Sequence, residues 1–270
     1  VLSLKLILMK NELKVIGIQA NLIWENPIEN RNLFQKKINA LENDTDLIIL
    51  PEMFTTGFTM HPENVAEKMD GLTISWMLQI AKEKELAICG SLVIEENNAY
   101  YNRFVFVYPS GTIETYDKRH SFTLAGENKV YTSGTKKLII TYNGWRICPL
   151  ICYDLRFPVW ARNTENYDLL IFMANWPVAR VKAWDTLLKA RAIENMSYVV
   201  GVNRTGKDAN AYEYTGNSLV IDYLGEELSN LAINETGIVK ATLAKSKQDT
   251  MRTKLGFLND KDSFTIAATK

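Results

Sequence analysis

The chain has 270 residues, with 31 Lys and Arg against 31 Asp and Glu, so the formal net charge is zero. Hydrophobic residues make up 47% and charged residues 23%, the balance of an ordinary globular chain long enough to bury a core unaided. These figures argue against a broad nucleic-acid-binding face, and the three cysteines, Cys89, Cys148 and Cys152, form neither a CxxC pair nor a disulfide framework.

Residues 1–10 (VLSLKLILMK) are too short to span a membrane and show no small-residue cleavage site before the next apolar run, so they read as an extension without a function of its own. Leu13 to Ala20 reads as a buried strand. Asn26-Pro27 with Glu29 marks a helix start, and the helix is predicted to run to about Asn43. Asp46 to Pro51 is a second apolar strand, followed by a Thr-, Gly- and Phe-rich loop and a helix from about Thr73 to Lys84. Leu86 to Glu95 and Tyr100 to Tyr108 form a hairpin through Asn97-Asn98, and Pro109-Ser110-Gly111 turns into Thr112 to Lys118. Lys136 to Tyr142 and Trp145 to Ile151 form another hairpin across Asn143-Gly144. Asp168 to Ala174 is a buried strand, and a helix runs from about Val181 to Met196. Tyr198 to Asn203, Leu219 to Tyr223 and Ile238 to Thr242 complete the strands. With no linker, repeat or low-complexity tract, the expectation is one α/β domain over 1–270, with two sheets covered by helices.

Three apolar strands end in a chemically useful side chain: Glu52, Lys118 and Cys152. Carboxyl ends of strands are where open α/β sheets place their sites. A thiol attacks a carbonyl carbon as its thiolate, and an adjacent ammonium is expected to lower its pKa. A carboxylate can take the thiol proton and return it to a leaving amine. The ammonium and the backbone N–H of Tyr153, just after the nucleophile, can hold the oxyanion. Such a site needs no histidine, metal or organic cofactor. Taken singly, each residue has a plainer reading: cysteines such as Cys89 and Cys148 are core hydrophobes, and Lys118 is a solvated strand end.

The segments ILPEMFTTGF (Ile49 to Phe58), YDKRHSF (Tyr116 to Phe122) and ICYDLRFPVWARN (Ile151 to Asn163) resemble the three catalytic blocks of the nitrilase superfamily of carbon–nitrogen hydrolases. The resemblance puts the family's Glu, Lys and Cys on Glu52, Lys118 and Cys152, and a further family glutamate on Glu127 in AGENKVYTSG. It spans Val15 to about Thr242. PEMFTTGFTM, Ala174 to Asn195 and Tyr198 to Asp208 are similar to the bacterial omega-amidase branch. The resemblance implies a four-layer α-β-β-α sandwich and a homodimer formed by the helices after the cysteine and lysine blocks, while the scattered cysteines make the cytoplasm the expected compartment. The resemblance also implies hydrolysis of the terminal amide of 2-oxoglutaramate or 2-oxosuccinamate through a Cys152 thioester, with water and the small amide as the only partners and neither nucleic acid nor membrane involved. Glu127 is then expected to orient Lys118 or the attacking water.

Phe54, Thr55, Thr56 and Phe58 follow the base, and Trp176 follows a fourth strand end, so all are candidates for pocket walls, although plain packing explains aromatics there equally well. Arg119, Arg156, Arg180 and Arg204 adjoin the matched blocks, and any of them could meet a substrate carboxylate. Arg191 on an apolar helical stripe calls for an ion pair, with Glu194 at hand. Asp154 and Arg156 are expected to pair and shape the turn after Cys152. His120 reads as a supporting or surface residue, and His61 has no evident task. Carbamoylase or nitrilase chemistry would use the same trio. A thiol-based regulator using Cys148 and Cys152 would need a bend, since four residues of strand span about 13 Å. A non-catalytic binding scaffold would not need all four polar residues.

Overall fold

The computed structural model describes residues 10–42 and 44–267. Of the extension read over residues 1–10, all but Lys10 lies outside them, as does Asn43. The elements are β1 (Glu12–Gln19), α1 (Pro27–Asn39), β2 (Leu47–Ile49), α2 (Leu72–Lys84), β3 (Ala87–Glu96), β4 (Ala99–Val107) and β5 (Ile113–Asp117) in the first half. There follow β6 (Ile140–Tyr142), β7 (Trp145–Ile151), α3 (Pro158–Ala161), β8 (Leu169–Met173), α4 (Val181–Asn195) and β9 (Tyr198–Val202). The chain continues through β10 (Thr205–Lys207), β11 (Glu213–Thr215), β12 (Leu219–Ile221), β13 (Glu227–Asn230), β14 (Gly237–Ala244) and α5 (Lys245–Leu255).

Two six-stranded sheets result, one ordered β14-β1-β2-β3-β4-β5 and the other β13-β12-β9-β8-β7-β6. The alternation of each strand decides what its faces meet. In the first sheet, Leu13, Val15, Leu47, Ile49, Ala87, Cys89, Phe104 and Phe106 pack into the core shared with the second sheet. Their neighbours Ile16, Ile18, Ile48, Ile88, Val105 and Val107 pack against Phe34 and Ile38 of α1 and Ile74, Met77 and Ile80 of α2. On the outer face of the second sheet, Gly201 of β9 lets Leu188 and Trp184 of α4 approach; a Cβ there would stand 2.5 Å from the Leu188 side chain. The layers are therefore helix, sheet, sheet, helix, as the family resemblance implied.

Both predicted hairpins form: Asn97 and Asn98 have φ of 52° and 59°, and Asn143 and Gly144 have φ of 51° and 83°. Positive φ at both central residues matches strand twist in two-residue turns. Some boundaries differ. α1 ends at Asn39, and Asn26 caps its start by accepting from Glu29 N–H. Residues 136–139 do not pair as strand, because β6 begins at Ile140 and the Lys137 ammonium turns to Glu165 at 2.7 Å. The β10–β11 hairpin, β13 and α5 were not predicted. α5 (KSKQDTMRTKL) buries only Gln248 and so has no apolar stripe to betray it. Charge docks it instead: Arg252 donates to the Asp168 carboxylate at 3.2 Å and to the Tyr167 carbonyl at 2.7 Å. Among the described residues no helix is long and apolar enough to cross a membrane.

Candidate active site

The carboxyl ends of β2, β5, β7 and β8 deliver their following residues to one place. Glu52 comes from β2, Lys118 from β5, Cys152 from β7 and Asn175 from β8. The Lys118 ammonium donates to Glu52 Oε1 at 2.9 Å and to Glu127 Oε1 and Oε2 at 2.9 and 3.0 Å. Glu52 is fully buried, and its carboxylate also accepts from Asn102 Nδ2 at 2.8 Å and from Asn175 N–H at 2.8 Å. Asn175 Nδ2 donates to the Glu52 carbonyl at 2.7 Å. A relay orients Asn102: Met53 N–H donates to Ser91 Oγ, and Ser91 Oγ donates to Asn102 Oδ1 at 2.9 Å.

Glu127 sits in the loop after β5 and accepts from Phe122 N–H in that same loop. The loop returns beneath Lys118, where Gly134 N–H donates to the Lys118 carbonyl at 2.9 Å. A Cβ at Gly134 would stand 2.1 Å from the Asp117 carbonyl oxygen, so glycine is required by contact here. Glu52, Lys118 and Glu127 are thus brought together as one buried cluster, and half-buried Cys152 lines the same cavity as Lys118.

Cys152 closes β7 with φ of 43°. The left-handed conformation is uncommon for a side chain larger than glycine, and it swings the thiol out of the strand into a short 3₁₀ turn. Cys152 faces the cavity, whereas Cys89 and Cys148 are buried in the core between the sheets. Tyr153 lies at the start of the turn, where N–H groups have no carbonyl within the turn to reach. Asp154 fixes the turn, accepting from Ile151 N–H at 3.0 Å, Tyr116 Oη at 2.7 Å and His120 N–H at 3.0 Å. The expected Asp154–Arg156 pair is absent; Asp154 is already saturated, and Arg156 stacks over Trp176, 5.0 Å from its ring centre. His120 supports the turn as expected, lying 2.8 Å from Asp154 through Nδ1 and stacked on Phe157.

The charges explain the protonation of the cluster. Burial alone lowers the Lys118 pKa, but Glu127 and Glu52 outweigh it, and the ammonium is held protonated well above its ordinary value. Burial raises Glu127, against the pull of Lys118. Cys152 also departs from expectation. Burial and the Glu52 carboxylate raise its pKa well above that of a free thiol, and Lys118 offsets them only in part. With two carboxylates and one ammonium, the cluster already carries an excess negative charge, which a lone thiolate would double. Passing the thiol proton to Glu52 would leave the total charge unchanged, so this arrangement favours ionising the thiol only together with protonation of Glu52.

A cavity of about 340 Å³ opens over Cys152, walled by Phe58, Phe122, Tyr153, Trp176, Tyr214 and Trp24 among others. Phe58 and Trp176 face it as expected, with Lys118 5.1 Å from the Phe58 ring centre. Phe54, Thr55 and Thr56 do not line it; Phe54 packs edge-on against Phe34 at 5.5 Å in the outer core. Of the four candidate arginines, Arg156 and Arg180 line the cavity. Arg119 lies on Trp160, and Arg204 is fully buried behind Tyr214. Arg191 pairs with Glu194 at 2.9 Å and donates to the Leu155 carbonyl, so its role is structural, as expected. His61 lies on the rim beside Glu63. Asn102 and Asn175 went unnoticed in sequence; the only hint of Asn102 was a polar residue at an inward position of an apolar strand. Among the described residues no cluster of His, Cys, Asp and Glu could hold a metal ion.

A thiol, a buried carboxylate and an ammonium meet at the strand ends of an α-β-β-α sandwich, an arrangement with the groups that cysteine-dependent acyl transfer requires. Residues 15–252 match the carbon–nitrogen hydrolase family, and the chain belongs to it. It is 40% identical over 255 residues to omega-amidase YafV of Yersinia enterocolitica, covering 94% of this chain and 98% of that protein. It is 32% identical over 248 residues to 2-oxoglutaramate amidase of Bacillus subtilis, covering 90% and 95%. The crystal structure of XC1258 from Xanthomonas campestris, a CN-hydrolase superfamily protein with an arsenic adduct in its active site, superposes with a TM-score of 0.92 at 38% identity, covering 95% of this chain and 99% of that one. The chain is a hydrolase acting on carbon–nitrogen bonds.

Proposed function

We propose that this protein is an omega-amidase, releasing ammonia from the terminal amide of a 2-oxo acid monoamide such as 2-oxoglutaramate or 2-oxosuccinamate. Glu52 takes the Cys152 proton as the sulfur attacks the amide carbon and the carbonyl π pair moves to oxygen. Lys118 and the Tyr153 N–H hold that oxyanion. Lys118 has three N–H bonds; if the two Glu127 oxygens share one and Glu52 takes a second, the third is left for the substrate. The protonated Glu52 gives its proton to the nitrogen, the C–N bond breaks, and ammonia leaves a Cys152 thioester. Glu52 then deprotonates water, which adds to the thioester and yields the acid and the free thiol.

The observation that carries the substrate class is the pair of guanidiniums over the thiol. Arg156 and Arg180 stack on Trp176 and Phe122, both ring centres 5.0 Å away, and neither has a carboxylate partner among the described residues. Unpaired cations on the wall of the cavity suit the far carboxylate and 2-oxo group of a short dicarboxylate monoamide. A single domain over 1–270 working in the cytoplasm as a homodimer fits this reading, with exposed Val159 on α3 and Ile193 on α4 available to the partner.

The test is mass spectrometry of the protein mixed with 2-oxoglutaramate, alongside an ammonia assay and a panel of N-carbamoyl compounds and nitriles. A transient acyl adduct on wild type, its absence in Cys152→Ala, and ammonia release greatest from the 2-oxo amide are expected. Ammonia release by Cys152→Ala would overturn the mechanism, and a preference for the carbamoyl compounds or nitriles would overturn the substrate class.

A further inference from the structure

Among the residues lining the cavity, Asn175 alone buries a polar side-chain atom that has no hydrogen-bond partner, its Oδ1. The other unpartnered buried atoms, such as Arg204 Nη1 and Thr205 Oγ1, belong to residues outside the cavity wall. The orientation of the amide is fixed by its neighbour. Nδ2 donates to the Glu52 carbonyl at 2.7 Å and lies 3.4 Å from Glu52 Oε2, contacts that suit a donor and not an oxygen. The same residue's backbone N–H holds Glu52 Oε2 at 2.8 Å. Asn175 is thereby locked at two points to the group that must protonate the leaving nitrogen, and its oxygen is left over.

The polar surroundings of the thiol otherwise supply donors: Lys118, the Tyr153 N–H, Arg156 and Arg180. The carboxylates nearby are engaged. Glu52 and Glu127 hold Lys118, and Asp208 on the cavity wall accepts from Asn210 N–H, Tyr212 N–H and Tyr214 Oη. A substrate NH2 brings two donors and needs a place for them. A buried acceptor without a donor is costly to keep in a folded protein, and a site built to be completed by the ligand accounts for it.

We propose that Asn175 Oδ1 accepts a hydrogen bond from the substrate's NH2 group and makes the site select primary amides over esters of the same acid. This rests on the amidase reading above and adds a specificity-determining contact to it. In the ground state the bond fixes the rotation of the amide. In the tetrahedral intermediate it holds one N–H toward Asn175, which turns the nitrogen lone pair toward the proton on Glu52. An alkoxy leaving group has no hydrogen to offer and gains nothing from the contact, though it too takes its proton from Glu52.

The experiment compares wild type and Asn175→Ala on 2-oxoglutaramate and on the 5-methyl ester of 2-oxoglutarate. Both substrates pass through the same thioester, so deacylation is common to them. Asn175→Ala is expected to lower kcat/KM for the amide on the order of 10- to 100-fold more than for the ester, the scale of one hydrogen bond in a water-excluded site. Equal losses on both substrates would mean that Asn175 acts only by holding Glu52, and would overturn the proposal. So would an unchanged amide rate. Ester turnover by the variant reports that it is folded; if Asn175→Ala is insoluble, Asn175→Ser is read by the same ratio. Should wild type spare 2-oxoglutaramate but hydrolyse another primary amide, the substrate assignment falls and the ratio is measured on that amide and its methyl ester. A wild type that hydrolyses no primary amide overturns both.

Discussion

The floor of the cavity and its rim are built on opposite rules. On the floor, Glu52, Lys118 and Glu127 are buried; the Lys118 ammonium is shared by the two carboxylates, and each carboxylate also accepts from a fixed N–H. On the rim, Arg156 and Arg180 rest on aromatic faces with their donors unspent. The charges on the floor are partnered without a substrate, so their geometry is set before binding, which is the condition for electrostatic stabilisation of an oxyanion; only the Asn175 oxygen is left for a ligand to meet. The rim is completed only by a ligand, so it decides which ligand. On the proposed reading, the chemistry and the recognition of the substrate's far end are therefore separable, and substitutions on the two levels are expected to differ in kind.

The sharpest break is at the nucleophile. Cys152→Ala is expected to lower kcat by about 10⁵-fold or more with little change in melting temperature, since no other thiol reaches the cavity. Substantial residual amidase activity would show that the floor has been misassigned. Lys118→Met comes next. It removes the oxyanion donor and leaves Glu52 and Glu127 facing each other without a cation. A fall of about 10³-fold in kcat is expected, with a loss of about 3–5 kcal/mol of stability from the uncompensated charge. Activity assays and chemical denaturation read the two effects, and a variant as stable as wild type would contradict the picture of a fully partnered floor.

The rim is expected to respond through KM. Arg156→Ala and Arg180→Ala should each raise KM for 2-oxoglutaramate about tenfold while kcat moves less than about threefold, the signature of binding shared by ground and transition states. A neutral amide of similar length should feel neither change. If instead kcat falls and KM holds, the arginines belong with the floor and the separation fails.

The two levels were unequally legible in the sequence. Glu52, Lys118 and Cys152 could be read because each ends a strand with a chemically useful side chain and falls in a segment resembling a catalytic block of the family; position alone left each with a plainer reading. Glu127 came from the family resemblance alone. Asn102 and Asn175 could not be read, because an asparagine acquires its role from its partner, and Asn175 finds Glu52 across 123 residues of chain. The choice between Arg156 and Arg180 on one hand and Arg119 and Arg204 on the other likewise depends on packing: the second pair is spent on Trp160 and on the Tyr214 wall. The fold was legible where continuous apolar runs or clear alternation between turn signals marked the strands, in β1 to β5 and β7 to β9. It was lost where charge does the docking, as in α5 on Asp168.

The smallest effect is expected at the other cysteine of β7, and it separates catalysis from redox regulation. Cys148 lies four residues before Cys152 but in the core between the sheets, and burial pushes its thiol up to about 12, so it stays protonated and inert. Bridging it to Cys152 would require pulling β7 out of register with β8, to which Cys148 pairs at Leu170. Cys148→Ala should therefore leave kcat/KM within about twofold and leave inactivation by oxidants unchanged. Its cost should be confined to packing, about 1 kcal/mol, seen as a drop of roughly 2–4 °C in melting temperature. If Cys148→Ala instead abolished a reversible loss of activity under oxidising conditions, the two thiols would communicate, and the wall between inert core and reactive floor would have to be redrawn through β7.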